Sequence, residues 1–118
     1  MKYMLMFYEP DTEFARRDGP EAPAYWGAWS AFLDTINGAG IVVSGAGLLP
    51  PATATTVRIR EGHRHVQDGP FADTKEQLGG YFVIDVPSLD EALQWAARAP
   101  AAAVAAVEVR PVLPPMPR

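Results

Sequence analysis

Two short stretches of the chain are apolar at nearly every position. Residues 2–8 place methionine, leucine and aromatic side chains after Lys2, and residues 80–86 place tyrosine, phenylalanine, valine and isoleucine after a glycine pair. In an extended segment such a run puts apolar side chains on both faces, which is typical of a central strand buried from two sides. The pattern therefore predicts two central strands.

Apolar residues recur at helical spacing between residues 24 and 37. They are Tyr25, Trp29, Phe32, Leu33 and Ile36, with Ser30, Asp34 and Asn37 on the other side. This spacing predicts an amphipathic helix that packs on the sheet and ends at Asn37 and Gly38. Tyr25 and Trp26, at the start of this helix, are alternatively the mouth of a pocket, because both rings carry a polar group.

A second helix begins at Ser88, since Glu91 three residues later completes a capping box. We expect this helix to run to residue 99, before Pro100, with one more helical turn within residues 101–106. Its predicted buried stripe consists of Leu89, Leu93, Ala96 and Ala97.

Ile41, Val42 and Val43 open a second strand, and regular alternation marks the remaining strands. Residues 54–60 and 63–67 alternate around Glu61 and Gly62, which predicts a β-hairpin, and residues 107–110 alternate as a final strand. Residues 11–23 are rich in charge, glycine and proline and are predicted as a loop, with Arg16 and Arg17 exposed to solvent.

The order strand, helix, strand, hairpin, strand, helix, strand predicts a ferredoxin-like α+β sandwich with an extra β-hairpin. We expect one domain over residues 1–113 and a flexible, proline-rich tail over residues 114–118. Two helices can cover only one face of the sheet. The apolar side chains on the other face therefore predict a homodimer in which sheet packs on sheet.

Composition narrows the possible functions. The 118 residues carry a net charge of -4 and no cysteine. The charge argues against nucleic-acid binding, and the lack of cysteine excludes disulfides, thiolate metal sites and cysteine nucleophiles. No apolar run approaches the roughly 20 residues of a membrane helix, and the first residues do not form a signal peptide, so no membrane association and a cytoplasmic location are expected.

Candidate chemistry concentrates after the hairpin. Asp68 precedes Gly69 and Pro70, and it either caps the turn through its carboxylate or acts as an acid or base. His63 and His65 share a face of the hairpin, but no third ligand lies nearby, so no metal site is predicted. A regular strand puts Asp68 on the face opposite the histidines. Asp85 is expected at the rim of its strand.

Residues 68–71, 72–76 and 79–86 read DGPF, ADTKE and GGYFVIDV. This block resembles the DGPF branch of the YCII-related proteins. The resemblance implies a dimeric α+β barrel. It also implies relatedness to a dehydrochlorinase of a chlorinated aromatic diol, and small members are thought to use a His–Asp pair on the first helix. That helix has no histidine here, so the pair cannot be transferred to this chain.

Two functions remain open at the level of sequence, beside a purely structural role for the loop. The first is a lyase- or isomerase-type enzyme without a bound cofactor, which uses acid–base chemistry on a small cyclic or aromatic metabolite. Asp68 would be catalytic, and the substrate-binding residues would be Tyr25, Trp26, Trp29, Phe71, Lys75 and Tyr81. The alternative is a small-ligand-binding or regulatory accessory protein, for which the resemblance implies a link to alternative sigma factors.

Overall fold

The computed structural model describes residues 1–117. Six strands and four α-helices follow one another, with a 3₁₀ turn at Pro51–Thr53 before the third strand. The strands are β1 (Lys2–Pro10), β2 (Val42–Gly47), β3 (Thr55–Arg60), β4 (His63–Asp68), β5 (Glu76–Asp85) and β6 (Ala106–Pro111). The helices are α1 (Asp11–Arg16), α2 (Ala22–Gly38), α3 (Leu89–Ala97) and α4 (Pro100–Val104).

Four strands form one antiparallel sheet in the order β2-β5-β1-β6, and β3 and β4 form a separate two-stranded sheet. The two segments that are apolar on both faces, β1 and β5, lie side by side in the centre. The mixed α+β architecture and the extra hairpin agree with the fold predicted from the sequence.

The core lies between this sheet and the helices. Every second residue of β1 is buried, beginning with Tyr3, Leu5 and Phe7. These side chains form one apolar cluster with Phe32 and Ile36 of α2 and with small residues of α3 and α4. The buried residues of β1 thus mark the face of the sheet that the helices cover. This alternation continues to the end of the strand.

The opposite face of the sheet carries half-buried apolar side chains. Met4 and Met6 of β1 pair with Val83 and Tyr81 of β5, and none of these residues belongs to the core cluster. No helix within residues 1–117 is long and apolar enough to cross a membrane.

Two expectations about helices were wrong. Residues 11–16, predicted as loop, form α1, in which Asp11 and Glu13 favour the first turn and Phe14 is buried. In α3 the buried residues are Ala92 and Ala96, whereas Leu89 and Leu93, predicted as core, are both 47% exposed. Small side chains allow this helix to lie close to the sheet, and the leucines then fall beside the contact.

Local turn chemistry followed the sequence closely. Glu61 and Gly62 have φ values of 51° and 77°, as a two-residue hairpin turn requires. The Ser88 side chain accepts a hydrogen bond from the Glu91 amide at 3.3 Å, which confirms this half of the predicted capping box. A β-bulge also forms where the glycine pair Gly79–Gly80 admits one: Phe7 pairs with Gly80 and Tyr8 with Leu78, so Gly79 has no partner on β1.

Candidate functional site

A cavity of about 500 Å³ lies on the helix-covered face, between α2 and the ends of β1, β2 and β5. Its volume falls within the roughly 300–1,000 Å³ that is usual for small-molecule sites. Most of its surface is apolar, and the charged residues that line it are Glu9, Arg17 and Asp18. The charged groups therefore form a small part of a lining that is otherwise made of aromatic, aliphatic and glycine residues.

Glu9 continues the buried alternation of β1, so its carboxylate enters the core face instead of solvent. The residue is only 1% exposed. Its Oε1 accepts hydrogen bonds from the Tyr25 hydroxyl at 2.7 Å and from Arg17 Nη2 at 3.4 Å. Within residues 1–117 no donor reaches Oε2, and Glu9 is one of the residues that line the cavity.

Arg17 connects the groups around Glu9. Besides the carboxylate, its guanidinium donates to Tyr25 Oη at 3.1 Å and to the carbonyls of Leu48 and Gly79. It also lies over the rings of Phe14, Tyr25 and Trp26, with distances of 4.8, 5.8 and 5.5 Å to the ring centroids. Its side chain is 11% exposed, so the expectation of a solvated Arg17 was wrong.

Tyr25 stays protonated in this environment. Burial, followed by its hydrogen bond to Glu9, raises the pKa of Tyr25 to about 12, and Arg17 opposes the rise. The hydroxyl therefore donates its proton to Glu9 while it accepts a hydrogen bond from Arg17 Nε. The three side chains form one hydrogen-bonded network, and all three line the cavity.

Gly79 makes room for this network. A Cβ at this position would lie 3.1 Å from Arg17 Nη2, Glu9 Oε1 and a ring carbon of Phe14. The bulge also presents the Gly79 carbonyl to two donors, Arg17 Nη2 at 3.3 Å and the Leu48 amide at 2.9 Å. Through the Gly79 carbonyl, the bulge in β5 thus connects this strand to Arg17 and to the loop at residues 48–50.

Aromatic rings form the apolar wall. Phe7 meets Trp29 and Phe82 edge to face, with ring centroids 5.1 and 5.7 Å apart. Trp26 is 46% exposed at the cavity rim, and its indole N–H donates to the Arg17 carbonyl at 3.1 Å. Such rings offer flat surfaces to a planar ligand.

The structure brings together some of the residues predicted to bind a ligand. Tyr25, Trp26 and Trp29 line the cavity from α2. Tyr81 also borders it, but strand alternation places its side chain on the opposite sheet face, with Met6.

The remaining predicted site residues lie outside this cavity. Asp68 is exposed at the end of β4, and no hydrogen bond of its carboxylate is found within residues 1–117. Phe71 is 74% exposed, and Lys75 is exposed in the same loop before β5. The catalytic role of Asp68 remains a prediction, and in one chain it has no contact with the cavity.

The other ionisable groups considered from sequence lie at the surface. His63 and His65 are exposed on the hairpin, and its regular register puts Asp68 on the other face from both. The part of the chain that the structure describes contains no group of three or more His, Asp or Glu side chains arranged to hold a metal. Asp85, exposed at the end of β5, accepts a hydrogen bond from the N-terminal ammonium at 3.1 Å.

Sequence reasoning missed Glu9 and Arg17. The signal for Glu9 was present, because it extends the series Tyr3, Leu5, Phe7 by one more step of two. A carboxylate at a buried position of a strand requires partners, and this requirement points to a site. Arg17 gave no comparable signal, since its position depends on α1.

The fold is shared with a solved enzyme. The dehydrochlorinase TftG from Burkholderia phenoliruptrix AC1100, which acts on 5-chloro-2-hydroxyhydroquinone and was solved with 2,5-dihydroxybenzoquinone, matches with a TM-score of 0.57 and 16% identity. The match covers 96% of this chain and 94% of that one. At this identity the likeness defines a ferredoxin-like α+β class and transfers no residue roles.

The family is established by sequence. A match to the YCII-related domain covers residues 1–115, and the chain belongs to this family. Over 51 residues it is 55% identical to the uncharacterized protein R00369 of Rhizobium meliloti (strain 1021). That match covers 43% of this chain and 41% of the relative, so the chain aligns with less than half of its length.

Proposed function

We propose that this protein is an enzyme of the lyase or isomerase type that needs no bound cofactor and moves a proton on a small cyclic or aromatic metabolite. In this proposal Glu9, and not Asp68, is the acid–base residue. The observation that carries the proposal is a buried carboxylate, 1% exposed, which is held through Oε1, has no donor to Oε2 within residues 1–117, and belongs to the lining of a cavity with an aromatic wall.

The geometry supports a simple division of roles. Tyr25 remains a donor to Glu9 Oε1, because its pKa is raised to about 12, and this bond fixes the carboxylate. Oε2 is then free to take a proton from a ring hydroxyl or an adjacent carbon and to return it. Arg17 lies beside the carboxylate, where its charge stabilises negative charge that develops on the ligand.

The likeness to TftG supports the ligand class, and segments of the sequence support the branch. TftG, whose substrate is a small hydroxylated ring, shares the fold, and the aromatic wall of the cavity suits a planar ring of that kind. We also assign the chain to the DGPF branch of the YCII-related family, on the DGPF, ADTKE and GGYFVIDV segments.

A matched pair of variants tests the catalytic assignment. With 5-chloro-2-hydroxyhydroquinone as a first probe, Glu9→Gln lowers the turnover number by about 10²-fold or more, the usual contribution of a general acid or base. Asp68→Asn, the same chemical change on the hairpin, retains turnover. The reverse result would move the role to Asp68, and loss in neither variant would remove both residues from the chemistry.

We further propose a homodimer that forms a dimeric α+β barrel in the cytoplasm. The support is the sheet face of Met4, Met6, Tyr81 and Val83, whose half-buried side chains lie outside the core cluster of residues 1–117 and whose exposure to water costs free energy. Sedimentation is expected to give twice the 12.8 kDa chain mass, and Met6→Asp is expected to give the monomer. A wild-type monomer at micromolar concentration would contradict the dimer.

A second candidate function is a small-ligand-binding or regulatory accessory protein, for example one that acts with an alternative sigma factor. It is favoured by the hairpin, where Val57, Ile59 and Val66 are exposed, and by the absence of histidine from α2. A stoichiometric complex with a cellular protein, together with no turnover of hydroxylated rings by the wild type, would favour this function over the enzyme.

A further inference from the structure

Arg17 is the only arginine or lysine that lines the cavity among residues 1–117, and a cavity arginine commonly binds a carboxylate or phosphate. We infer the opposite here: the cavity selects uncharged rings that carry a hydroxyl group, and Glu9 is the residue that rejects anions. This inference rests on the ring-binding role proposed above and names its ligand class.

The charge of Arg17 is already balanced. Glu9 lies 3.4 Å from its Nη2 and is buried, and Asp18 adds a second negative charge at the exposed rim. The charged side chains of the cavity therefore sum to one negative charge. A carboxylate ligand would have to lose its hydration beside the buried charge of Glu9, which is costly unless it is separately paired.

The hydrogen-bonding capacity of Arg17 is also largely used. Its donors reach Glu9, Tyr25, Leu48 and Gly79, so within residues 1–117 about one of the five guanidinium N–H groups remains. A bidentate grip on a carboxylate needs two parallel N–H groups. One donor is enough for the neutral oxygen of a hydroxyl or carbonyl group.

Glu9 imposes the complementary requirement. Oε2 accepts hydrogen bonds and has no donor within the described residues, so a ligand with an O–H group satisfies it and an ether oxygen does not. The aromatic wall formed with Phe7, Trp29 and Phe82 holds the ring itself. The recognised unit is therefore a ring with a hydroxyl group and no charge.

Equilibrium binding of three simple rings to the wild-type protein tests this selection without any turnover. The probes are phenol, anisole, in which the hydroxyl hydrogen is replaced by methyl, and benzoate, which carries a carboxylate; binding is measured by calorimetry. Phenol is expected to bind at least about tenfold more tightly than either of the others, a difference of one well-formed polar interaction. Equal or tighter binding of benzoate would overturn the inference.

A variant that removes one charge tests whether Glu9 is the residue that disfavours anionic ligands. Glu9→Gln keeps the shape of the side chain and leaves Arg17 without its buried counter-charge, so the ratio of benzoate to phenol affinity is expected to rise about tenfold or more. Asp34→Asn makes the same change on the exposed side of α2, outside the cavity, and is expected to alter the ratio by less than about twofold, as a surface charge does.

The possible outcomes separate this inference from the proposed enzyme. If Glu9→Gln abolishes turnover but leaves the affinity ratio unchanged, Glu9 is the acid–base residue and the selection is wrong. If the ratio shifts while turnover persists, the selection holds and the catalytic assignment fails. Should Glu9→Gln prove too unstable to measure, the wild-type comparison of phenol, anisole and benzoate alone decides the selection.

Discussion

Two regions of this molecule place an arginine over an aromatic ring; in the first a carboxylate also contacts the arginine, and in the second a carboxylate is near only along the chain. In the cavity Arg17 lies 4.8 Å from the centroid of the Phe14 ring and beside Glu9. On the hairpin side Arg58 lies 4.9 Å from the ring centroid of Phe71, a short distance along the chain from Asp68. The distance from guanidinium to ring is nearly the same, but the first region is largely buried and the second is exposed.

The difference indicates that burial, more than residue type, determines how much such a group of side chains contributes to stability and reactivity. Water screens charges at a surface, so exposed pairs contribute little. In the cavity each charge depends on its partner, because neither can turn to solvent. The sequence motif drew attention to Asp68, whereas the buried network of polar and charged side chains formed around Glu9.

The largest effect is expected from Arg17→Ala. The variant leaves the Glu9 carboxylate buried without its counter-charge, and we expect the free energy of unfolding to fall by about 3–5 kcal/mol. Urea denaturation followed by circular dichroism measures this. Arg58→Ala is the matched change on the exposed side and should cost at most about 1 kcal/mol. Equal losses in the two variants would contradict the contrast.

Tyr25→Phe is expected to cost about 1–3 kcal/mol at neutral pH, because the buried carboxylate loses its O–H donor. The pKa of Tyr25 is raised to about 12, from an ordinary value near 10. The unfolded chain therefore releases this proton first, so its contribution to stability is complete below pH 10 and is lost as the pH rises toward 12.

The same variant gives a second readout. The unfolding free energies of the wild type and Tyr25→Phe should approach each other between about pH 10 and pH 12. The reason is that only the wild type has the Tyr25 hydroxyl proton, whose contribution to stability is lost in this range. A constant difference across that range would show that the Tyr25 proton is not bound more tightly in the folded state.

Gly79→Ala tests the close contact at the bulge. The added methyl group would lie 3.1 Å from atoms of Arg17, Glu9 and Phe14, which are held by one another. We expect a loss of about 1–2 kcal/mol from this overpacking. Gly47→Ala, on the edge strand, meets no atom within 4 Å and should be nearly neutral in thermal unfolding. A neutral Gly79→Ala would mean that the network has room to move.

The smallest effect is expected from Phe71→Ala. Its ring is 74% exposed, and the contact with Arg58 is worth at most about 1 kcal/mol in water. Chemical denaturation of the isolated protein measures this loss. A loss as large as that of Arg17→Ala would show that the ring is buried in solution by contact with another molecule.

Patterns that depend on neighbouring residues were predictable from the sequence. The central strands, the helix at residues 22–38, the Glu61–Gly62 turn and the bulge at Gly79 all follow from local apolar spacing and glycine placement. The set of residues that α3 buries was not predictable in the same way. Its burial depends on how closely alanines let the helix approach the sheet, so Leu89 and Leu93 were assigned to the wrong side.

The candidate site was predictable only in part. Tyr25, Trp26 and Trp29 were recognised because aromatic residues cluster in one segment of the sequence. Arg17 and Glu9 come together through contacts between α1, α2 and the strands, and no single segment contains that arrangement. The fold therefore followed from local patterns, while the charged part of the cavity lining arose from tertiary contacts.

The unpaired residue of β5 also decides which side chain accompanies Glu9. With Gly79 inserted, Glu9 pairs with Gln77, whose amide donates to the carbonyls of Ala72 and Thr74 and so holds the preceding loop. If Gly79 were paired instead, so that the regular register continued from Phe7 and Gly80, Tyr8 would face Gly79 and Leu78 would lie opposite Glu9. In that register the carboxylate would gain a hydrocarbon neighbour and the loop would lose its Gln77 anchor, so the bulge fixes which residue of β5 lies opposite Glu9.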